Sequence, residues 1–291
     1  MSHPARIVSL LPSATEVLFL LGAGDRVVGV TYECDVPAEA ARRPHVTDTI
    51  IPAGAAPAEI DELIREAVAD GRELYTLDHA LLHSLDADLV VTQDLCRVCA
   101  LPAATLDDAK AELGLTCDVF SYDPMTLEGV LAGIEELGAL VGSSSADETV
   151  RDLRDRLADT RARVVGRPRP RVLLLEWPDP PFTAGHWIPD MIDAAGGQCL
   201  LGHPGDRSAA TTWDAVAASN ADVLIVAPCG FDEAAAEAQL AQVMDRPDLA
   251  ELPAVVNGRG HAIDADSYIV RPGPRLVDGV ELLADLLHPG T

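Results

Sequence analysis

The segment TQDLCRVCA at residues 92–100 sets Cys96 and Cys99 two residues apart at the end of an apolar run. Thiolates at that spacing can hold half of a zinc or iron–sulfur site, or cycle as a redox pair. Two more cysteines follow candidate strands: Cys34 after VVGV and Cys229 after DVLIVAP. Together Cys34, Cys96, Cys99 and Cys229 form a candidate metal set. The alternative is packing, since a free cysteine is a good small apolar residue. Cys117 and Cys199 read as packing residues. The second stretch with chemical potential is WPDPPFTAGHW at 177–187, whose three prolines predict a stiff irregular loop. In it Trp177 and Trp187 could wall a flat ligand, or fill a core. His186 is a candidate metal ligand and Asp179 a candidate polar contact.

Ligands of open α/β sheets bind beyond the carboxyl ends of the strands. By that rule Tyr32, Glu33, Gln93, Tyr268 and Arg271 join the candidates, each just past an apolar run. Ser13 and Glu16 follow RIVSLL. Their Ser-x-x-Glu spacing is that of a helix capping box, and free amides at such a start could also meet an anion.

The elements that carry these residues come in two similar sets. RIVSLL at 6–11 matches RVLLLEW at 171–177, and DADLVVTQDLC at 86–96 matches NADVLIVAPCG at 220–230. Gly24 and Gly29 correspond to Gly197 and Gly202. The continuous apolar runs suit parallel strands covered on both faces. A duplicated α/β lobe is expected, with boundaries at 1–142 and 167–291. Between them, 143–166 predicts one long helix of about five turns. It has an apolar stripe of Val150, Leu153, Leu157 and Val164, and i,i+4 pairs such as Asp152–Arg156 and Asp159–Arg163. GRPRPR stops it. A last helix carries Leu276, Val277, Val280, Leu283, Ala284 and Leu287 on one face.

Composition narrows the partners. Net charge is −26, and Lys110 is the lone lysine beside 20 arginines. Such a field repels nucleic acid and anionic membranes. No run is apolar enough to insert in a bilayer. RIVSLL reads as a core strand rather than a secretion signal, so a cytoplasmic location is expected, or a periplasmic or extracellular one if a leader has been removed. No phosphate-binding loop, dinucleotide fingerprint or nucleophile elbow is present, so no catalytic residue is assigned.

Three blocks, RIVSLLPSATEVLFLLGAGDRVVGVTYECD, DADLVVTQDLC and HAIDADSYIVRPGPRLVDGVELLADLL, resemble the class III periplasmic-binding-protein family. They are most similar to its cobalamin and ferric-siderophore substrate-binding proteins of ABC importers. The resemblance implies two lobes joined by one long helix, a ligand in the cleft between them, and a permease partner if the chain is exported. It also implies that Tyr32, Trp177, Trp187 and Tyr268 contact a corrin. Two functions follow as expectations. One is a binding protein for a small-molecule metal chelate, cobalamin or a related corrinoid, without enzymatic activity. The other is a metalloprotein or enzyme with an iron–sulfur cluster or zinc on the four cysteines, and with Glu33, Asp179 and His186 as acid–base candidates.

Overall fold

The structure is a computed structural model that describes residues 3–52, 54–93 and 116–290. Its first sheet has four parallel strands, β1 (Ile7–Ser9), β2 (Val27–Val30), β5 (Leu89–Thr92) and β6 (Asp118–Ser121), in the order β2-β1-β5-β6. A two-stranded antiparallel ribbon, β3 (Thr47–Thr49) and β4 (Tyr75–Leu77), lies beside them in sequence. The helices of this half begin with α1 (Pro12–Leu20), α2 (Pro57–Ala69) and α3 (His79–Ser84). β1 and β5 are buried throughout, as their unbroken apolar runs require.

The chain divides into two compact units. The first is Met1–Asp123 with Ala132–Val150, and the second is Pro124–Leu131 with Arg151–Thr291. Two of the crossings fall inside helices, in α4 (Leu127–Val141) and in α5 (Ala146–Val164). The expected joining segment 143–166 is therefore helical over most of its length, and α4 crosses as well.

The second unit holds β7 (Arg171–Pro178), β8 (Pro181–Thr183), β9 (Gln198–Cys199), β10 (Val223–Val226) and β11 (Gly260–Ala262). Its path is β11-β10-β7-β8, with β9 also pairing β7. Around the sheet lie α6 (Ile188–Ala194), α7 (Trp213–Ala218), α8 (Glu233–Met244), α9 (Pro253–Val256), α10 (Ala265–Tyr268) and α11 (Leu276–Leu287). All six apolar positions expected on the last helix are buried.

The duplication is visible as hydrogen bonding. Leaving out β8, the parallel strands run β9-β7-β10-β11, the same order as β2-β1-β5-β6. In the first unit the Asp88 carboxylate accepts the Arg6 backbone N–H at 2.9 Å, and the Asp88 N–H donates to Arg6 O at 2.9 Å. In the second, Asp222 accepts the Arg171 N–H at 2.8 Å and returns its own N–H to Arg171 O at 2.8 Å. Each aspartate thus clamps the start of the neighbouring strand and fixes its register, Ile7 to Leu89 and Val172 to Val223. Two residues earlier, Asp86 and Asn220 share a left-handed backbone, with φ of 46° and 53°. Asp and Asn tolerate that conformation best among residues with side chains.

One local expectation is corrected. The WPDPPFT part of WPDPPFTAGHW is a hairpin rather than an irregular loop, while 184–187 is irregular: β7 continues to Pro178, turns, and β8 returns with Pro178 opposite Pro181. Proline is compatible with an outer strand because its missing N–H need not face a neighbour. The arginines of α5 also reach further than one turn. Arg156 bonds Asp278 at 2.5 Å and Glu281 at 2.7 Å, and Arg163 bonds Asp285 at 2.8 Å, all on α11. Among the described residues no helix is long and apolar enough to cross a membrane.

Candidate functional site

In the first unit the carboxyl ends of β1, β2 and β5 are lined with hydroxyl groups. Thr15 Oγ1 lies 2.8 Å from Ser9 Oγ and 3.1 Å from Cys34 Sγ, and Thr31 Oγ1 lies 3.3 Å from the same sulfur. Cys34 is only 1% exposed. Its thiol is packed among hydroxyls. Gln93, just past β5, is buried. Tyr32 and Glu33 are half-buried. The Tyr32 ring stands 6.3 Å from that of Tyr75. Burial and the adjacent Glu33 carboxylate push the Tyr32 phenol well above its ordinary pKa, so it keeps its proton. Cys96 and Cys99 lie outside the described residues, so the four-cysteine set has no geometry here. Among the described residues no three His, Cys, Asp or Glu side chains converge on a metal position.

In the second unit β7, β10 and β11 deliver a different surface. Trp177, at the end of β7, is half-buried, and its indole N–H donates to Asp179 O at 3.0 Å. Phe231 meets it edge-on, with ring centroids 5.7 Å apart and planes at 85°. Phe231 escaped sequence reading. Its only signal is its place two residues past Cys229, beyond the end of β10. Cys229 is exposed. Gly230, next to it, takes φ 81°, and its N–H donates to Asp266 at 3.0 Å. Asp266 also accepts Arg271 at 3.0 Å, so α10 and Arg271 pin the turn that carries Cys229 and Phe231. Tyr268 is half-buried at the end of α10, and Asp179 is exposed at the hairpin tip. Trp187 is 4% exposed and donates to Ile269 O at 2.8 Å, so it packs in the core, the second of its two readings. Burial pushes the Cys199 thiol up to about 12, which keeps it protonated.

His186 stands where β8 leads into α6, with φ 52°. Left-handed backbone at a residue other than glycine, asparagine or aspartate costs about 1 kcal/mol or more, and the surroundings must enforce it. They do so through the 203–206 turn: His186 N–H donates to Asp206 O at 2.5 Å, and Gly205 N–H donates to His186 O at 3.0 Å. The ring leans on Trp187 at 5.5 Å. Its Nε2 is buried without a partner among the described residues. Burial first, then Arg207, holds its pKa below the ordinary 6.5, so the imidazole is neutral.

His261 and His288 are lowered from 6.5 in the same way, by burial and by nearby arginines. All three refuse protons that the unfolded chain accepts. Their contribution to stability is therefore complete above the unfolded pKa of 6.5 and is lost as pH falls towards the lower folded values. Urea midpoints measured from about pH 8 down to about pH 5 should fall once below pH 6.5, and His186→Gln should make the decline shallower. A midpoint that is flat or rises on acidification contradicts this.

Two α/β units of like topology, each with candidate contacts at the carboxyl edge of its parallel sheet, define a class of ligand-binding proteins. The chain belongs to the periplasmic binding protein family, which matches residues 91–266. It is 28% identical to the uncharacterized ABC transporter substrate-binding lipoprotein YvrC of Bacillus subtilis, over 99% of this chain and 82% of that protein. It is 26% identical to a Vitamin B12-binding protein of Vibrio cholerae, over 97% and 88%. Solved structures share the fold. The periplasmic Vitamin B12 binding protein BtuF of Vibrio cholerae superposes with a TM-score of 0.72 at 22% identity, over 99% of this chain and 98% of that one. The periplasmic heme-binding protein RhuT of Roseiflexus sp. RS-1 gives 0.70 at 23%, with the same coverage.

Proposed function

We propose that this periplasmic-binding-type protein captures a corrinoid of the cobalamin kind and hands it to an ABC permease. The observation that carries the reading is the likeness to a Vitamin B12-binding protein along 97% of the chain. The Trp177–Phe231 corner supports it, because a half-exposed aromatic pair at a strand end suits a flat macrocycle. Asp179, Tyr268 and Arg271 supply polar contacts around that corner, and Tyr32 and Glu33 supply them in the first unit. Relatives of this fold are also named for heme. The relatives' names, a lipoprotein and periplasmic proteins, support work outside the cytoplasm over the cytoplasmic location expected from sequence.

The test is calorimetric titration of the full chain with cyanocobalamin and with haemin. Cyanocobalamin should bind with a Kd of about 1 μM or tighter. Binding of haemin alone, or of neither, overturns the reading.

A further inference from the structure

The first turn of α1 is buried and short of hydrogen bonds among the described residues. Ser13 was expected to cap this helix, but Pro12 is already helical and Leu11 occupies the cap position with no side-chain hydrogen bond. The first α-helical bond runs from Thr15 N–H to Leu11 O at 3.0 Å. The amides of Ser13 and Ala14 therefore precede the i→i−4 ladder and have no partner in it. Both residues have zero exposure. Ser13 Oγ is also buried without a hydrogen-bond partner among the described residues. Helical side chains in general lean towards the N-terminus, the side of the two amides.

The described hydroxyl neighbours make their bonds elsewhere. Ser9 and Thr15 hydroxyls are committed to each other and to Leu11 O, and Thr31 to Cys34 and the Glu33 amide. The second unit treats the matching place differently. There the residue after the helix's proline is Asp190, which puts a carboxylate in the first turn of α6 and accepts the Leu127 N–H at 3.0 Å. The first turn of α1 has no acidic residue.

We propose that the N-terminus of α1 receives one oxygen of a singly charged oxyanion on the bound ligand, a phosphodiester or a carboxylate. Ser13 Oγ and the amides of Ser13 and Ala14 are the donors. The positive end of the helix dipole adds attraction for the charge, and burial strengthens it. A single charge is specified because Glu16 stands one turn further along the same helix. The source of the oxyanion rests on the corrinoid reading: cobalamin carries a phosphodiester in its nucleotide loop, and cobinamide lacks it.

The experiment compares cyanocobalamin with dicyanocobinamide on the full chain and on Ser13→Ala. The chain should prefer cyanocobalamin by about tenfold, the worth of a charge-assisted hydrogen bond. Ser13→Ala should remove that preference by weakening cyanocobalamin alone. Equal binding of the two by the unaltered chain, or equal loss of both in Ser13→Ala, overturns the site and leaves the corrinoid reading standing. Should neither corrinoid bind, that reading fails, and dimethyl phosphate decides the site. A concentration-dependent rise in Tm that Ser13→Ala abolishes supports it for another ligand. No rise overturns it.

Discussion

Trp177→Ala should weaken cyanocobalamin binding by roughly 10- to 100-fold while leaving the fold intact. The ring is half-buried, so it has surface left to give to a ligand. Its orientation is set before any ligand arrives, by the indole bond to Asp179 O at 3.0 Å and by Phe231 edge-on at 5.7 Å. A pre-set ring loses little entropy on binding, which makes its contact area effective. Alanine removes the area and also leaves Phe231 without its neighbour. Trp177→Phe keeps a flat ring but loses the anchor, so a few-fold loss is expected. Trp187→Ala is the informative contrast. Trp187 is buried and bonded to Ile269 O, so its removal should cost about 3–5 kcal/mol of stability. Calorimetric affinity and urea unfolding on the same three variants separate the effects. Unchanged affinity in Trp177→Ala would remove the aromatic corner from the site.

How far the sequence could be read follows from which forces are local. The two sheets were legible because strands covered on both faces need unbroken apolar runs, and ADLVVT and ADVLIVA have no competing helical period. The duplication was legible for a related reason. Asp88 and Asp222 recur because each clamps the next strand's backbone, a job that ties residue type to position. The β7–β8 hairpin was not legible, since prolines at 178, 180 and 181 look the same in a loop and on an outer strand. Nor could spacing tell Trp177 from Trp187. One ends a strand, and the other precedes α6, whose Ile188 and Met191 are buried. That difference belongs to tertiary packing. Ser13 failed as a cap because Pro12 entered the helix first, a choice made by the chain's exit from β1 rather than by the Ser-x-x-Glu spacing. The partners of Arg156 lie more than a hundred residues away on α11, beyond any i,i+4 rule.

Gly185→Ala should destabilise the protein by about 2 kcal/mol or more and release His186. A β-carbon at 185 would stand 2.1 Å from Ser208 N and 2.7 Å from the Arg207 carbonyl carbon. Both are backbone atoms, so no side-chain rotation relieves the contact. Either the 203–208 segment or the 184–186 segment must move. The Gly185 N–H also donates to Glu176 at 2.6 Å, which resists movement on its own side. His186 is held in its left-handed conformation by bonds to Asp206 O and from Gly205 N, in the segment that would be displaced. Once those bonds loosen, the imidazole regains solvent, and the burial that lowers its pKa weakens. The variant should thus show two linked changes in urea unfolding: a lower midpoint at pH 8, and a shallower loss of stability below pH 6.5 than the unaltered chain. The second change separates release of His186 from general loosening, because a merely weaker fold keeps the original pH slope. A midpoint equal to that of the unaltered chain would mean that the two segments part without cost, and the strained histidine would then have no fixed seat.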